Sequence, residues 1–377
     1  MKVTSAKPAE YEKIQRFLED VFGHASDAFR ECWPQVWEKE HTVFKNTLVI
    51  REKKEIVSLV RIIPLYLVQD GVRIKSAGIG GVSTLYSHRG KGYMSEILSE
   101  AFSRMRKEKY PVSVLWGDRH RYGNFGYENC GASVDLRISS RGLHRSGVKP
   151  ADAKRFFEDK QALKRIMDIY NANNYRVERT EKEFIALYRK RRIATYYASR
   201  GKDFAYLVAP ATEASGRGEI KEYGGNPRLL LGILKHLQER FSVSSFSLYC
   251  PGLETLPDEL LSASSEWSVK STCMLKIINL KETLRSFAEH PGFSFPDGEE
   301  ITFTVKGGDS ATILKKRGRI SIQNGRGKNE ILLSETGMVR LLFGTSFWAP
   351  SNIDAKILRL LKSFLPLKFF VWQMDYI

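Results

Sequence analysis

Three groups of residues in this 377-residue chain have types and spacings that suit chemistry. The first is the basic, glycine-containing turn His88-Arg89-Gly90-Lys91-Gly92, continued by Tyr93 and Met94. The second is the aromatic turn Tyr122-Gly123-Asn124-Phe125-Gly126-Tyr127, and the third is the apolar ending Trp372-Gln373-Met374-Asp375-Tyr376-Ile377. The basic turn follows an apolar, β-branched run at 78–85. It precedes a helical pattern in which Met94, Ile97, Leu98, Ala101, Phe102 and Met105 recur every three or four residues. Strand, glycine turn and helix start together make an anion site. The first N–H groups of a helix lack partners inside it, and the helix dipole is positive at that end. Glycines let a phosphate approach the backbone, and Arg89 and Lys91 add positive charge. The pattern is neither the dinucleotide G-x-G-x-x-G nor the G-x-x-x-x-G-K-[ST] phosphate loop, and a purely structural turn uses the same residue types.

In the aromatic turn, Tyr122 is the reactive candidate. A phenol with a pKa of about 10 stays protonated at neutral pH and can donate to an atom gaining negative charge. Packing of Tyr122 and Phe125 into the turn is the alternative, and Tyr127 reads as core. The ending is unusual in being apolar, since most termini are polar and fray.

The turn Arg89-Gly90-Lys91-Gly92-Tyr93-Met94 resembles the R-x-x-G-x-G/A pyrophosphate turn of the GNAT acyltransferases. Arg89 and Gly92 match, and Met94 departs from the usual Gly or Ala. The longer segments GVSTLYSHRGKGYMSEIL, SVLWGDRHRYGNFGYE and VWQMDYI resemble the Eis-like (enhanced intracellular survival) branch, and the similarity extends over essentially the whole chain. This resemblance implies an α/β (α+β) fold of tandem GNAT-like acyltransferase domains plus a C-terminal sterol carrier protein-like domain. It implies acetyl-CoA as co-substrate and no metal. Backbone groups of Val82, Ser83 and Thr84 would run beside the pantetheine arm, with Val82 or Thr84 polarising the thioester carbonyl. Arg89, Gly90, Lys91, Gly92, Tyr93 and Met94 would cradle the pyrophosphate.

The resemblance further implies Tyr122 as general acid and the α-carboxylate of Ile377 as general base, where relatives often end in phenylalanine. An α-carboxyl with a pKa of about 3.5 is a weak base in water, and burial would strengthen it. His88 and His120 rank below it. Trp33, Trp37 and Asp375 are candidate substrate contacts; core packing is the alternative for the tryptophans, and a surface charge for Asp375. The implied acceptor is an amine on a small molecule or peptide, such as an aminoglycoside or a lysine side chain. The implied assembly is a homo-oligomer, a hexamer in relatives.

The elements that must position these residues fall into three expected domains. Residues 1–143 form the catalytic domain, with helices at 8–22 and from Ser26 through Trp33 and Trp37, and strands at 47–52, 56–67 and 112–116. Residues 144–270 form a second GNAT-like domain, with helices at 154–171, 180–191 and 227–241. Its turn Gly224-Gly225-Asn226-Pro227 carries no arginine or lysine, so the domain reads as degenerate. Residues 271–377 form the third domain, with strands at 273–278, 301–305, 311–316 and 319–323 and helices at 280–287, 335–343 and 353–364.

Composition narrows the remaining classes. A 42% hydrophobic content supports packed cores rather than disorder. The absence of a long apolar run or apolar leader points to a cytoplasmic protein that does not enter the membrane. Cys32, Cys130, Cys250 and Cys273 lack metal or redox spacing and read as reduced core residues. The net charge of +17 attracts polyanions. Its tightest cluster, Arg189-Lys190-Arg191-Arg192, reads as a solvated face at a helix end, and no nucleic-acid motif accompanies it. A lipid carrier and a basic nucleic-acid-binding protein remain as alternatives to the transferase.

Overall fold

The computed structural model describes residues 2–211, 216–290, 293–325 and 327–377. The first part of the chain runs β1 (Thr4–Ser5), α1 (Tyr11–Phe22), α2 (Ala28–Cys32), α3 (Pro34–Trp37), β2 (Thr47–Glu52), β3 (Glu55–Gln69), β4 (Val72–Thr84), α4 (Tyr93–Lys107), β5 (Val112–Leu115), α5 (Arg119–Gly123) and β6 (Glu128–Cys130). The apolar stripe expected on the first helix is real: Tyr11, Ile14, Phe17 and Leu18 are buried. The helix expected from Ser26 starts only at Ala28. Asp27 before it sits in the left-handed region without capping, and Pro34 splits the segment in two.

The middle of the chain continues with β7 (Ser133–Ser139), α6 (Ser140–Arg145), β8 (Lys154–Arg155), α7 (Lys160–Asn171), β9 (Arg176–Val177), α8 (Glu181–Tyr188), β10 (Ile193–Arg200), β11 (Asp203–Pro210), β12 (Gly216–Ile220), β13 (Glu222–Gly225), α9 (Pro227–Phe241), β14 (Val243–Cys250), α10 (Asp258–Ala263) and β15 (Ser264–Lys270). Residues 154–159, expected as helix, instead open with β8 paired to β10. The helix waits for Asp159, whose carboxylate accepts the N–H groups of Gln161 and Ala162. The last part runs β16 (Cys273–Ile277), α11 (Leu280–Ala288), β17 (Glu300–Val305), β18 (Ser310–Lys316), β19 (Arg319–Asn324), β20 (Glu330–Leu333), α12 (Glu335–Phe343) and α13 (Ala355–Lys362).

The architecture is mixed α/β, and its sheets cross the sequence boundaries expected at 143 and 270. The first sheet has the order β1-β2-β3-β4-β5-β16-β6, with β9 also paired to β3. Strand β16 is thus inserted between β5 and β6 from far along the chain. Strand β7 joins β12, β14 and β15 in a second sheet, while β8, β10, β11 and β13 form a third and β17 to β20 a fourth. One continuous apolar core joins Val72, Ile74, Val112 and Val114 of the first sheet to Phe295, Phe303, Phe343 and Leu361 of the last part. The third part therefore spends much of its apolar surface on packing against the first sheet.

Candidate active site

Strand β4 is where the site begins, because it changes partners along its length. It pairs in parallel with β5 only from Ser76 to Gly78. Beyond Gly78 the two strands part, which leaves backbone groups of β4 free on that side. On its other side, Arg61 faces Gly80 and Leu59 faces Ser83, so Gly81 and Val82 together oppose Val60. This β-bulge turns the strand and re-aims its N–H groups. Gly81 adopts φ +63°, and a Cβ there would lie 2.6 Å from the Trp37 ring. Only glycine suits both the conformation and the contact.

The basic turn follows directly. Gly90 (φ +78°) and Gly92 (φ +81°) are left-handed, and a Cβ on either would meet nothing within 4 Å. Gly92 caps α4 without a side chain, so no side-chain oxygen occupies the first-turn N–H groups. A cleft of about 610 Å³ is lined by Val82, Ser83, Thr84, Arg89, Gly90, Gly92, Tyr93 and Met94, together with Val21, Phe22, His88 and Arg121. Lys91 lies outside that lining, and its ammonium is 3.7 Å from Glu52. Glu52 also accepts from the Tyr93 hydroxyl and lies 3.3 Å from His88 Nε2. His88 thus faces a carboxylate at the turn, and His120 is exposed on α5.

The corresponding turn in the middle part is closed. A Cβ on Gly225 would strike the Phe204 carbonyl, and Asn226 Oδ1 accepts the Leu229 N–H at 3.0 Å. The helix start that is open at Gly92 is already satisfied at Asn226.

Tyr122 sits on α5, whose first turn is capped by Asp118 accepting the Arg121 N–H at 2.8 Å. Its ring covers Gly117, where a Cβ would lie 2.5 Å from Cε2. Burial pushes the Tyr122 phenol above its ordinary value, with the neighbouring Arg121 opposing. Tyr127 is fully buried, its hydroxyl 2.7 Å from Ser113 Oγ, as core.

The C-terminal segment threads into the same region. Tyr376 stacks on Trp116 at 4.4 Å, and both the Tyr376 hydroxyl and Trp116 Nε1 donate to the Thr272 carbonyl. Ile377 packs over Gly78 so closely that a Cβ there would collide with its Cδ1. Gly78 is the last β4 residue paired with β5, and Gly117 lies two residues past the end of β5. Ile377 and Tyr122 therefore pack at the place where the two strands part.

Asp375 is neither a surface charge nor free to hold a substrate. It is 6% exposed, and Arg179 Nε and Nη2 donate to its two oxygens at 2.8 and 2.7 Å. The Tyr170 hydroxyl donates to it as well, at 3.1 Å. Arg179 Nη2 also reaches Glu222 at 2.6 Å, and Glu222 accepts from the hydroxyls of Tyr188 and Tyr206. Pairing of β9 with β3 brings Arg179 here.

Of the basic cluster, Arg189, Arg191 and Arg192 are exposed as a solvated face requires, and Lys190 departs from it. Lys190 turns its ammonium inward, donating to the Met374 carbonyl at 2.7 Å, and burial pushes its pKa down to about 7. Arg191 binds Glu31 at 2.6 Å and thereby ties the middle part to α2. Trp37 is 1% exposed beneath Gly81, with the Arg61 guanidinium 3.8 Å over its ring, so it supports the bulge instead of walling a substrate. Trp33 is half-buried against Phe29.

A second cleft, of about 660 Å³, opens beside Ile377 and is lined among others by Gln35, Val36, Arg61, Ile63, Arg179 and Asp375. Sequence reasoning passed over Arg61, although a lone arginine inside the apolar run 56–67 was a visible signal. Arg179 offered none, since its partner lies 196 residues away.

Comparison with known proteins bears on the fold. Residues 2–130 match the acetyltransferase (GNAT) domain family. A conserved Enterococcus faecalis protein described as a probable N-acyltransferase superposes with TM-score 0.78 at 20% identity, covering 100% of this chain and 99% of that one. A GCN5-related N-acetyltransferase from Anabaena variabilis gives 0.73 at 16% identity, with all of both chains covered. Eis1 from Mycobacterium abscessus gives 0.71 at 12% identity, again over the full length of both. No curated protein matches the sequence. Among the described residues, no helix is long and apolar enough to cross a membrane.

Proposed function

We propose that this chain, whose residues 2–130 match the acetyltransferase (GNAT) domain family, is an acyltransferase that moves an acetyl group from acetyl-CoA directly to a primary amine. The observation that carries the reading is the donor cleft along β4 beyond its pairing with β5, with Ile377 seated on Gly78, the last paired residue, and Tyr122 seated on Gly117 just past β5. The donor's pantetheine arm would lie along the free edge of β4 as an added strand. Its pyrophosphate would meet the open start of α4, with Arg89 adding charge. Arg121 lines the same cleft and would supply a further cation.

In the transfer, the amine nitrogen bonds to the acetyl carbon and the carbon–sulfur bond breaks. A re-aimed N–H of the bulge, at Val82 or Thr84, stabilises the oxyanion charge. Tyr122 gives its proton to the departing thiolate, and the Ile377 α-carboxylate takes the proton from the amine. The middle part, with its closed turn, acts as a degenerate domain that grips the C-terminal segment. The last part is, in this reading, the sterol carrier protein-like domain that the Eis resemblance implies, and it serves to deliver that segment. A division into tandem domains at 1–143 and 144–270 and a third at 271–377, which exchange the strands β7, β9 and β16 across those boundaries, and a homo-oligomeric assembly belong to the same proposal.

Calorimetric titration of acetyl-CoA at moderate salt, with a plain polyanion as comparison, tests the donor site. One-to-one binding is expected, weakened about 10- to 100-fold by Arg89→Ala with Gly92→Glu. It should be unchanged in Tyr122→Phe. Equal binding of any polyanion, or none of acetyl-CoA, overturns the reading.

A further inference from the structure

The cleft beside Ile377 gathers buried polar atoms that have nothing to bind. Gln35 Nε2 and Oε1, Arg61 Nη2 and Arg179 Nη1 all lack a hydrogen-bond partner, and the three residues line this one cleft. Buried polar groups in folded proteins are nearly always paired, because an unpaired one has given up water for nothing. Four such atoms around one cleft mark where a ligand's atoms belong. Three of the four are nitrogen donors, and two of those sit on guanidinium groups.

Arg61 is the strongest of them. Its side chain is 2% exposed, and its other nitrogens meet only neutral oxygens: Thr47 Oγ1 at 2.8 Å, the Val36 carbonyl at 2.5 Å and Thr42 Oγ1 at 3.3 Å. Among the described residues no carboxylate forms an ion pair with it. Burial pushes its pKa down to about 9, which still leaves it charged at neutral pH. A buried cation without a counter-charge is costly, and an anion arriving beside it would offset that cost.

The acids of the cleft are already engaged. Glu178 binds Arg73 at 2.8 Å, Glu183 caps α8 by accepting the Thr180 N–H at 2.6 Å, and Asp375 is held by Arg179. A polycation entering here would meet Arg61, Arg176 and Arg179 with no free carboxylate side chain to receive its further charges. The remaining wall, including Val43, Ile63, Pro64, Leu65 and Leu187, is apolar.

We propose that this cleft takes an amino-acid-like acceptor, a primary amine that carries its own carboxylate. The carboxylate answers Arg61 and Gln35, and the amine turns toward Ile377. The inference rests on the transferase reading above. A carboxylate suits a guanidinium better than a hydroxyl or carbonyl does, because both the charge and the planar geometry match.

The test compares acids with counterparts that lack the carboxylate in two ways. Thiol release from acetyl-CoA is followed with phenylalanine, phenylalaninamide and phenethylamine. Separately, calorimetry with CoA present compares N-acetylphenylalanine with N-acetylphenylalaninamide, which needs no turnover. The acids are expected to show at least a tenfold lower KM and a tenfold tighter Kd. Arg61→Met should abolish that preference. Gln35→Leu should reduce it several-fold without lowering Tm, since it removes only unpaired atoms. Equal or better use of the amides and amines, equal binding of the two N-acetyl compounds, or an unchanged preference in both variants overturns the proposal. The acetyl-CoA titration stands apart: its success with no acid preference sinks only the acceptor class, and its failure sinks the transferase reading.

Discussion

Ile377 occupies the space above Gly78 that a Cβ would take. The last residue of the sequence is thereby fitted to a strand position nearly three hundred residues earlier. Gly78→Ala forces that side chain aside. Because the contact involves the flexible end of Ile377, stability should fall by less than about 1 kcal/mol in urea titrations. A shift of the base by about an ångström should lower kcat by roughly tenfold to a hundredfold, with acetyl-CoA affinity unchanged. Equal kcat in the two proteins would detach Ile377 from the chemistry.

Extension of the chain by two alanines after Ile377 moves the carboxylate while preserving the anchors at Tyr376 and Asp375. Turnover should drop at least a hundredfold, the scale of general base catalysis, and donor binding should persist. Full activity in the extended protein would transfer the base role elsewhere, with His88 and His120 next in line.

Tyr122→Phe removes one hydroxyl from a buried ring. We expect kcat to fall about a hundredfold or more and the Kd for acetyl-CoA to stay within twofold. Burial raises the phenol above its ordinary value, so Tyr122 stays protonated through neutral and mildly alkaline pH. Any alkaline decline in kcat that belongs to it should lie above about pH 10 and vanish in the variant.

Arg179→Met leaves Asp375 and Glu222 buried without their shared cation. Loss of one partner from such a network costs about 3–5 kcal/mol, readable as a lower urea midpoint. Turnover should fall further than stability explains, because the same arginine fixes the segment two residues before Ile377. A stable variant with normal kcat would show that the grip on Asp375 is dispensable.

Lys190 makes stability depend on pH. Its folded pKa of about 7 lies below the ordinary lysine value, so between the two the unfolded chain binds the extra proton. The contribution to stability therefore rises as pH increases from about 7 toward 10. Lys190→Met should flatten that rise, which urea titrations at pH 7 and pH 9 would detect. Parallel pH dependence in the two proteins would place the Lys190 ammonium in water.

What the sequence determined by itself is local. The glycines and cations at 89–92, the three- and four-residue spacing of α4, and the lack of a cation in the turn at 224–227 were legible because each depends on residues within a few turns of one another. Periodicity passed over β14, β15 and β20 but marked strands such as β2, β3 and β17 to β19, since alternating or continuous apolar runs report burial. It could not report beside what they are buried. The insertion of β16 between β5 and β6, the membership of β7 in the second sheet and the placing of β9 on β3 join segments far apart in the chain. The placing of β9 on β3 makes Asp375, read as a substrate contact or a surface charge, Arg179's partner, and the docking of the C-terminal segment turns Lys190 from a solvated cation into one bound to the Met374 carbonyl. Charge in a sequence names the group; only the tertiary structure decides whether water or a counter-charge surrounds it, and with that whether the group costs energy, holds a segment or awaits a ligand.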